Sequence, residues 1–377
     1  MKILIVANYA LSHQESMQRF AKMLEDGLLT EGHEVQVIRP EAILCKGSQA
    51  EHGLNKWLGY IDRFILFRWQ LKQAARWADV VHICDHSNAM YAKWVNRPSL
   101  VTCHDLMAIQ SALGLIKINK TGFTGRIFQQ WIASGLQVCS HVACVSKNTQ
   151  DELIKTLEVP VEKTSIAYNA LNYPYSPMLQ DQAWALIHKR LPDLKPPYFF
   201  HLGGNQWYKN RKGVVEIYYK LIQHPEYSDH RLVLAGKPWP DDLKDKISTL
   251  AIKNQVVEIN DLTNEEIRAF YSVAEALIFP SLQEGFGWPI AEAQACGCKV
   301  ITTGRAPMTE VGGDAAIYIE PERLDEAAEI IFSQLHAEDN LEYKSLENAK
   351  RFSMKFMIAS YEAGYNQIYS IEDENIK

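Results

Sequence analysis

The chain alternates short apolar segments of strand length with longer segments of helical character, and this alternation strongly constrains its fold. Such an order is typical of a parallel sheet with helices on both faces. The predicted strands are Lys2–Ala7, Glu34–Ile38, Val80–Cys84, Ser99–Cys103, Val142–Val145, Ser165–Tyr168, Tyr198–Leu202, Arg231–Ala235, Val256–Ile259, Ala276–Phe279 and Lys299–Thr302. The sequence therefore predicts an α/β fold.

A segment without periodicity interrupts the alternation after the sixth strand. Residues 169–177 contain two prolines and several turn formers, which is typical of a linker. A chain of 377 residues is long enough for two domains with separate cores. We therefore expect a first domain over residues 1–172 and a second over residues 178–354.

Charge and cysteine content narrow the class of protein. The formal net charge of −6 argues against a partner recognised mainly through its phosphate backbone, such as duplex DNA. No apolar run approaches the length of a membrane span, and Ile3–Ala7 is too short for the core of a signal peptide. Seven cysteines cannot all pair within the chain, and none forms Cys-x-x-Cys. We therefore expect reduced thiols, a cytoplasmic location and no structural zinc.

The segment from Pro280 to Ala293 carries the strongest chemical signal. It follows a predicted strand, and its glycine-rich turn leads into a helix with Pro289 in the first turn. Backbone N–H groups at a helix start have no intrahelical partner and attract phosphate. Glu284 precedes the turn and Glu292 lies one turn into the helix, so two carboxylates flank the anion site. A nucleotide sugar, with hydroxyls at both ends and a diphosphate between them, fits this layout.

This segment resembles the donor motif of the family-four retaining glycosyltransferases, also called glycosyl transferases group 1. The resemblance lies in two glutamates separated by seven residues, within Pro-Ser-x-x-Glu-Gly-Phe-Gly-x-Pro-x-x-Glu-Ala and followed by Ala-Cys-Gly. It implies the GT-B architecture, in which two Rossmann-like domains face each other across a cleft and a C-terminal helix, about residues 355–377, crosses back to the first domain. It also implies that the turn contacts the donor through Gly285, Phe286, Gly287 and Trp288.

A second segment repeats the order of strand, glycines, cations and helix. Gly203 and Gly204 follow a predicted strand, and three cations come next within four residues: Lys209, Arg211 and Lys212. Glycines leading into clustered cations favour an anion-binding turn, so we assign both glycines and the cations to donor binding.

The resemblance gives these cations a role, because the family carries an Arg/Lys pair here that neutralises the departing diphosphate. Aligning Lys209-Asn210 with the family's Lys-Asn places Tyr208 where Arg is usual. Either Arg211 or Lys212 then supplies the second charge, and we favour Lys209 with Arg211. These cations would replace a metal, and the chain contains no Asp-x-Asp metal-nucleotide motif. We expect no metal and no cofactor.

In the first domain, His104 follows the strand Ser99–Cys103, at the end of a parallel strand where ligands bind. Family members have a His-Asp or His-Glu pair here, and the histidine touches the donor sugar. His82 and His86 are predicted at a neighbouring strand end, lining the acceptor cleft.

The first strand–helix loop, residues 8–17, contains no glycine. Many family members use paired glycines here, and the absence also excludes the dinucleotide fingerprint of a nicotinamide oxidoreductase. Ser12, Ser16 or the amides of the following helix would serve the acceptor or a phosphate instead.

The sequence thus predicts a retaining, metal-independent glycosyltransferase that moves a sugar from a nucleoside diphosphate sugar to a hydroxyl acceptor. Its catalytic residues would be Glu284, Lys209, Arg211 and His104, and Glu292 would hold the ribose. A glycosidase is disfavoured, because a diphosphate leaving group surrounded by cations needs no protonation. Two alternatives stay open: a nucleotide-sugar epimerase of the same architecture, which turns over donor without acceptor, and a non-enzymatic subunit that binds nucleotide sugars.

Two segments, Leu58–Trp77 and Lys117–Leu136, interleave basic residues with aromatic ones. One interpretation is peripheral contact with an anionic membrane, such as the inner face of the cell membrane, where a lipid-linked acceptor would lie. The other is that both are ordinary amphipathic helices of a doubly wound domain.

Overall fold

A computed structural model describes residues 1–9, 11, 15–45, 53–335, 337 and 340–376. The described residues form twelve strands: β1 Lys2–Val6, β2 Glu34–Ile38, β3 Val80–Ile83, β4 Ser99–Cys103, β5 His141–Cys144, β6 Thr164–Ile166, β7 Tyr198–Gly203, β8 Arg231–Gly236, β9 Val256–Asn260, β10 Ala276–Phe279, β11 Val300–Thr303 and β12 Ile317–Ile319. They also form fifteen α-helices: α1 Glu15–Thr30, α2 Gly53–Ile61, α3 Phe67–Ala75, α4 Met107–Ala112, α5 Phe123–Val138, α6 Lys147–Leu157, α7 Gln180–Arg190, α8 Arg211–Leu221, α9 Asp241–Thr249, α10 Asn264–Val273, α11 Trp288–Ala295, α12 Met308–Gly312, α13 Leu324–Leu335, α14 Leu341–Ala349 and α15 Met354–Ile376. A π-helical segment, Asp62–Leu66, joins α2 to α3.

The chain divides into two compact units, Met1–Asn172 with Met354–Lys377, and Tyr173–Ser353. In the first unit the strand order is β2-β1-β3-β4-β5-β6, and all neighbours are parallel. The central strands are buried along their whole length, as expected when helices cover both faces of a parallel sheet. Because β1 lies between β2 and β3, the topological switch point falls at the carboxyl ends of β1 and β3.

The C-terminal helix α15 packs on this first unit. A Cβ atom added to Gly27 of α1 would lie 2.5 Å from the side chain of Ile358, so the two helices approach closely. The ring of Tyr361 lies 6.2 Å from that of Phe20. The return of the C-terminal helix to the first unit is therefore confirmed.

In the second unit the strand order is β12-β11-β10-β7-β8-β9, again all parallel. Strand β7 lies between β8 and β10, so the switch point falls at the carboxyl ends of β7 and β10. These ends lead into the two glycine-rich turns that the sequence identified.

The α/β fold class is confirmed, and the eleven predicted strands are present with ends shifted by at most two residues. The sequence analysis missed β12. This strand has only three residues, pairs on one side with β11 and follows the helical turn Gly313–Ala315. A run so short carries too little periodicity to be recognised.

All seven cysteines are free and buried. Within the described ranges, no helix combines the length and apolar character needed to pass through a lipid bilayer.

Candidate active site

The turn after β7 brings two backbones unusually close. Gly203 ends β7 and Gly236 ends β8, and the two residues are paired in the sheet. Gly236 has φ +130°, and a Cβ atom there would lie 2.1 Å from the carbonyl oxygen of Gly203. Only glycine fits at position 236, because L side chains rarely adopt this backbone conformation and the space is filled.

Asn210 connects this turn to the turn after β10. It adopts a left-handed conformation with φ 52° and caps α8, since its Oδ1 accepts a 3.2 Å hydrogen bond from the Gly213 backbone N–H. Its Nδ2 donates to the carbonyl oxygen of Pro280 at 3.1 Å. The Leu282 backbone N–H also donates to the carbonyl oxygen of Tyr208 at 2.8 Å. The two turns therefore form one hydrogen-bonded structure at the switch point.

Lys209 and Glu284, one from each turn, form an ion pair. The Lys209 ammonium lies 2.7 Å from Oε1 and 3.0 Å from Oε2 of Glu284, whose side chain is 8% exposed. The ammonium also lies 5.4 Å from the centre of the Phe279 ring and 5.5 Å from that of Tyr208. The cation and the carboxylate predicted to meet one ligand are thus in contact with each other.

Arg211 is buried in the same region. Its Nη1 donates to Oδ1 of Asn205 at 2.5 Å and to the carbonyl oxygen of Lys237 at 2.8 Å. Among the described residues, its Nε and Nη2 have no hydrogen-bond partner. Burial lowers the pKa of Arg211, against the opposing effect of the Glu258 carboxylate. A buried guanidinium with unused donors suits an anionic ligand.

Lys212 is placed differently, although it neighbours Arg211 in sequence. Its ammonium pairs with Asp242 at 2.7 Å, at the exposed start of α9. The sequence left open which of the two residues supplies the second cation. Burial and unused donors favour Arg211 over Lys212 as the second cation.

His201 lies near both cations and was missed by the sequence analysis. It is fully buried on β7, and its ring N–H at Nδ1 donates to the carbonyl oxygen of Ile278 at 2.9 Å. Burial lowers the pKa of His201 to about 3, against the opposing effect of the hydrogen bond to Ile278 and with smaller contributions from the charges of Arg211 and Lys209. Within the described part of the chain its Nε2 has no partner, so a neutral acceptor lies beside the two cations. Its position two residues before Gly203 and Gly204 is the feature that could have identified His201 from the sequence.

The turn after β10 ends at helix α11, whose N-cap is Gly287 with φ 104°. Glu292 is 5% exposed and accepts a 3.3 Å hydrogen bond from the hydroxyl of Tyr271. Phe286 is buried, and its ring lies 5.4 Å from that of Phe352, so it anchors the turn to the core. Gly285 and Trp288 are half-buried in the same turn. The predicted order of turn, helix start and second glutamate is present.

The first unit gathers polar side chains at its own switch point. Asn8 follows β1, and its Nδ2 donates to Oδ2 of Asp85, which follows β3, at 2.5 Å. His86 Nδ1 lies 3.4 Å from Oδ1 of Asp85 and accepts a 3.3 Å hydrogen bond from the backbone N–H of His104. The structure therefore brings His86 and His104 together with a buried carboxylate.

The surroundings of His104 and Asp85 shift the pKa of each side chain. Nε2 of His104 lies 2.8 Å from the carbonyl oxygen of Cys84, so this nitrogen carries the hydrogen. Burial lowers the pKa of His104, although the Asp85 carboxylate acts in the opposite direction. Burial alone would raise the pKa of Asp85, but His86, His104 and the hydrogen bond from Asn8 hold it below its usual value.

The other residues predicted in the first unit lie elsewhere. His82 does not line a binding surface, because it lies within β3, is fully buried and is hydrogen bonded to Tyr365 and Thr102. Ser16 is exposed in the first turn of α1. Ser12 lies outside the described residues.

Two family models match the chain. Residues 17–173 match the model described as Glycosyltransferase Family 4, and residues 183–352 match Glycosyl transferases group 1. The two matches follow one another along the chain and correspond to the two units of the structure.

One curated relative is the O-antigen chain mannosyltransferase RfbU of Salmonella typhimurium. It is 28% identical over 196 residues, which cover 52% of this chain and 51% of the relative. The chain thus spans about half the length of this relative.

Two solved structures share the fold over nearly the whole chain. A glycosyltransferase from Rickettsia africae has a TM-score of 0.71 at 18% identity, covering 97% of this chain and 98% of that one. Anabaena Alr3699/HepE, solved in complex with UDP and glucose, has a TM-score of 0.70 at 16% identity, covering 96% and 98%. The consecutive family matches and the shared fold show that the chain belongs to the family-four GT-B glycosyltransferases.

Proposed function

We propose that this chain transfers a mannosyl group from a nucleoside diphosphate mannose to a saccharide hydroxyl, in the assembly of an O-antigen-type polysaccharide. The sugar and the acceptor class are suggested by the name of the Salmonella relative. The nucleoside diphosphate is suggested by the two anion-binding turns and by the UDP complex of the Anabaena protein.

The observation that carries the proposal is the ion pair between Lys209 and Glu284, with the unused donors of Arg211 in the same region. An ammonium has three N–H donors. Two of them are directed at the Glu284 oxygens, which leaves the third for a phosphate oxygen. One carboxylate, positioned by a cation that also binds phosphate, is suited to hold a sugar hydroxyl next to the diphosphate.

Each part of the donor is assigned to groups of the second unit. Lys209 and Arg211 bind the diphosphate, together with the backbone N–H groups at the start of α11. The glycines at positions 203 and 204 let the backbone approach the phosphates. Glu284 binds hydroxyls of the sugar, and Glu292, oriented by Tyr271, binds the ribose.

The reaction proposed for this site proceeds with retention and without a metal. Negative charge grows on the diphosphate as the sugar–phosphate bond breaks, and Lys209 and Arg211 stabilise that charge. The acceptor hydroxyl attacks from the face that the diphosphate leaves, and a phosphate oxygen takes its proton. In the first unit, His104 and His86 serve the saccharide substrates, and Ser16 is a further candidate for the acceptor.

The experiment is an incubation of the purified chain with GDP-mannose or UDP-mannose, with and without mannose-terminated oligosaccharides. Release of nucleoside diphosphate that depends on the acceptor, with an α-linked product by NMR, would support the proposal. Conversion of the donor without an acceptor would indicate an epimerase instead. Donor binding without nucleoside diphosphate release, over a panel of saccharide acceptors, would indicate a non-enzymatic subunit.

A further inference from the structure

Helical segments of the first unit carry large apolar side chains on the surface. Trp57 in α2, Ile65 in the π-helical segment and Trp69 in α3 are 63%, 57% and 74% exposed. Ile65 and Trp69 are four residues apart and lie on one side of the helical run, and Trp57 lies eight residues before Ile65 in the same run. Phe123 and Ile127, also four residues apart on α5, are 78% and 51% exposed. These five residues are called the docking face.

The two parts of the docking face belong to neighbouring helices. The Tyr60 ring stacks on that of Phe128 at 6.3 Å, and the Phe64 ring lies 5.0 Å from that of Trp131. The Trp57 ring lies 5.8 Å from that of Tyr60. An aromatic seam therefore holds α2 and the π-helical segment against α5, and the exposed side chains flank that seam.

The charge of these segments differs from that of the whole chain. Residues 57–76 contain four basic residues and one acidic residue, and residues 106–138 contain three basic residues and no acidic one, in a chain of net charge −6. The single acidic residue, Asp62, is buried and accepts hydrogen bonds from the backbone N–H groups of Leu44 and Cys45. The exposed charge of these two segments is therefore positive.

Cations follow the apolar side chains along α3. Arg68, Lys72 and Arg76 are exposed and spaced by four residues, which places them in a row next to Trp69. Lys72 and Arg76 line a pocket of about 320 Å³ together with Arg97 and Trp94. Three cations lining one pocket suit an anionic group such as a phosphate.

We infer that the first unit docks on the surface of an anionic lipid bilayer through the docking face. Tryptophan and phenylalanine partition into the boundary between headgroups and acyl chains, and adjacent Lys and Arg side chains attract anionic lipid. The combination of exposed tryptophans, a row of cations and no exposed acidic residue within residues 57–76 and 106–138 fits a lipid surface better than a protein partner. The inference goes beyond the proposed function and does not depend on it.

The test is co-sedimentation of the full chain with vesicles of phosphatidylcholine, alone or mixed with phosphatidylglycerol. We expect binding to the mixed vesicles at low salt, weaker binding as salt rises, and little binding to neutral vesicles. Absence of binding to mixed vesicles at low salt, or equal binding to both compositions, would overturn the inference.

Paired variants separate the contribution of the exposed tryptophans to membrane binding from that of the cations. Trp57→Ser with Trp69→Ser should lower the partition coefficient roughly tenfold or more, and Lys72→Gln with Arg76→Gln should do the same at low salt. The matched controls are Leu179→Ser, which is 71% exposed in the second unit, and Lys189→Gln with Lys195→Gln, which are exposed there too. Controls that lose binding as strongly as the docking-face variants would refute the assignment of this face. Thermal unfolding of each variant verifies that the fold is retained.

Discussion

The Lys209 ammonium contacts both carboxylate oxygens of Glu284, at 2.7 and 3.0 Å, across the two turns at the switch point of the second unit. The two residues are 75 positions apart in the sequence. Their contact depends on β7 and β10 being neighbours in the sheet, so the strand order itself assembles the site.

Replacing Lys209 with Ala should lower kcat by roughly a hundredfold or more, because the charge that it neutralises grows in the transition state. Steady-state release of nucleoside diphosphate measures the effect. Arg211→Ala should behave similarly.

The matched control is Lys212→Ala, since Lys212 is adjacent in sequence but pairs with Asp242 at the surface. We expect near-normal turnover for this variant. Near-normal turnover of both Lys209→Ala and Arg211→Ala would show that the cations are wrongly assigned.

Gly213→Ala should destabilise the protein, although alanine normally stabilises a helix relative to glycine by about 0.5–1 kcal/mol. A Cβ atom at this position would lie 2.3 Å from Nδ2 and 2.6 Å from Oδ1 of Asn210, so it would displace the capping side chain. Loss of such a cap costs about 1 kcal/mol, and the same displacement breaks the hydrogen bond from Asn210 Nδ2 to the carbonyl oxygen of Pro280, worth about 1 kcal/mol more. Urea unfolding measures the difference.

The control for this variant is Gly59→Ala in α2, where the nearest atom, the Tyr9 hydroxyl, lies 4.0 Å from the added Cβ. This substitution should leave stability unchanged or raise it. A stabilising Gly213→Ala would contradict the capping role of Asn210.

The fold was predictable because the central strands of both sheets are buried apolar runs. The turns after β7 and β10 were recognised for the same reason, since each places glycines and charges directly after such a run. Strand order could not be read from these runs, so the contact between Lys209 and Glu284 was not foreseen.

Choosing between Arg211 and Lys212 also required the structure. Consecutive residues of a helix point about 100° apart, since a turn contains 3.6 residues. The left-handed conformation of Asn210 sets where α8 begins, and this start directs Arg211 into the interior and Lys212 toward Asp242. Sequence alone gives three cations in four residues without a direction for any of them.

Activity should persist in EDTA, because side chains supply the positive charge around the diphosphate in the proposed mechanism. Initial rates with and without the chelator, at saturating donor, measure this directly. Loss of activity in EDTA with rescue by magnesium or manganese would overturn the metal-independent mechanism.

Stability of the first unit should fall as the pH drops below about 6.5, the ordinary pKa of histidine. His82 is fully buried between the Tyr365 hydroxyl at 2.5 Å and Oγ1 of Thr102 at 2.7 Å. Burial, with a smaller contribution from the nearby His104, lowers the pKa of His82 to about 3. Between this value and pH 6.5 the unfolded chain binds a proton that the folded chain does not bind. The free energy of unfolding then decreases by about 1.4 kcal/mol for each pH unit lost, for this histidine alone.

His82→Gln tests this origin of the pH dependence, because glutamine keeps hydrogen-bonding groups but does not titrate. The variant should be less stable than the parent at pH 7, since the amide fits the site less well. Its free energy of unfolding, measured in urea between pH 4 and 6, should decline less steeply by about 1.4 kcal/mol per pH unit. Burial also lowers the pKa of His141, to about 4, and of His201, so both proteins retain part of the slope. The difference between the two slopes therefore measures the contribution of His82. If the free energy of unfolding fell equally steeply with pH in the parent and the variant, the buried neutral state of His82 would not be the cause of the acid sensitivity of this unit.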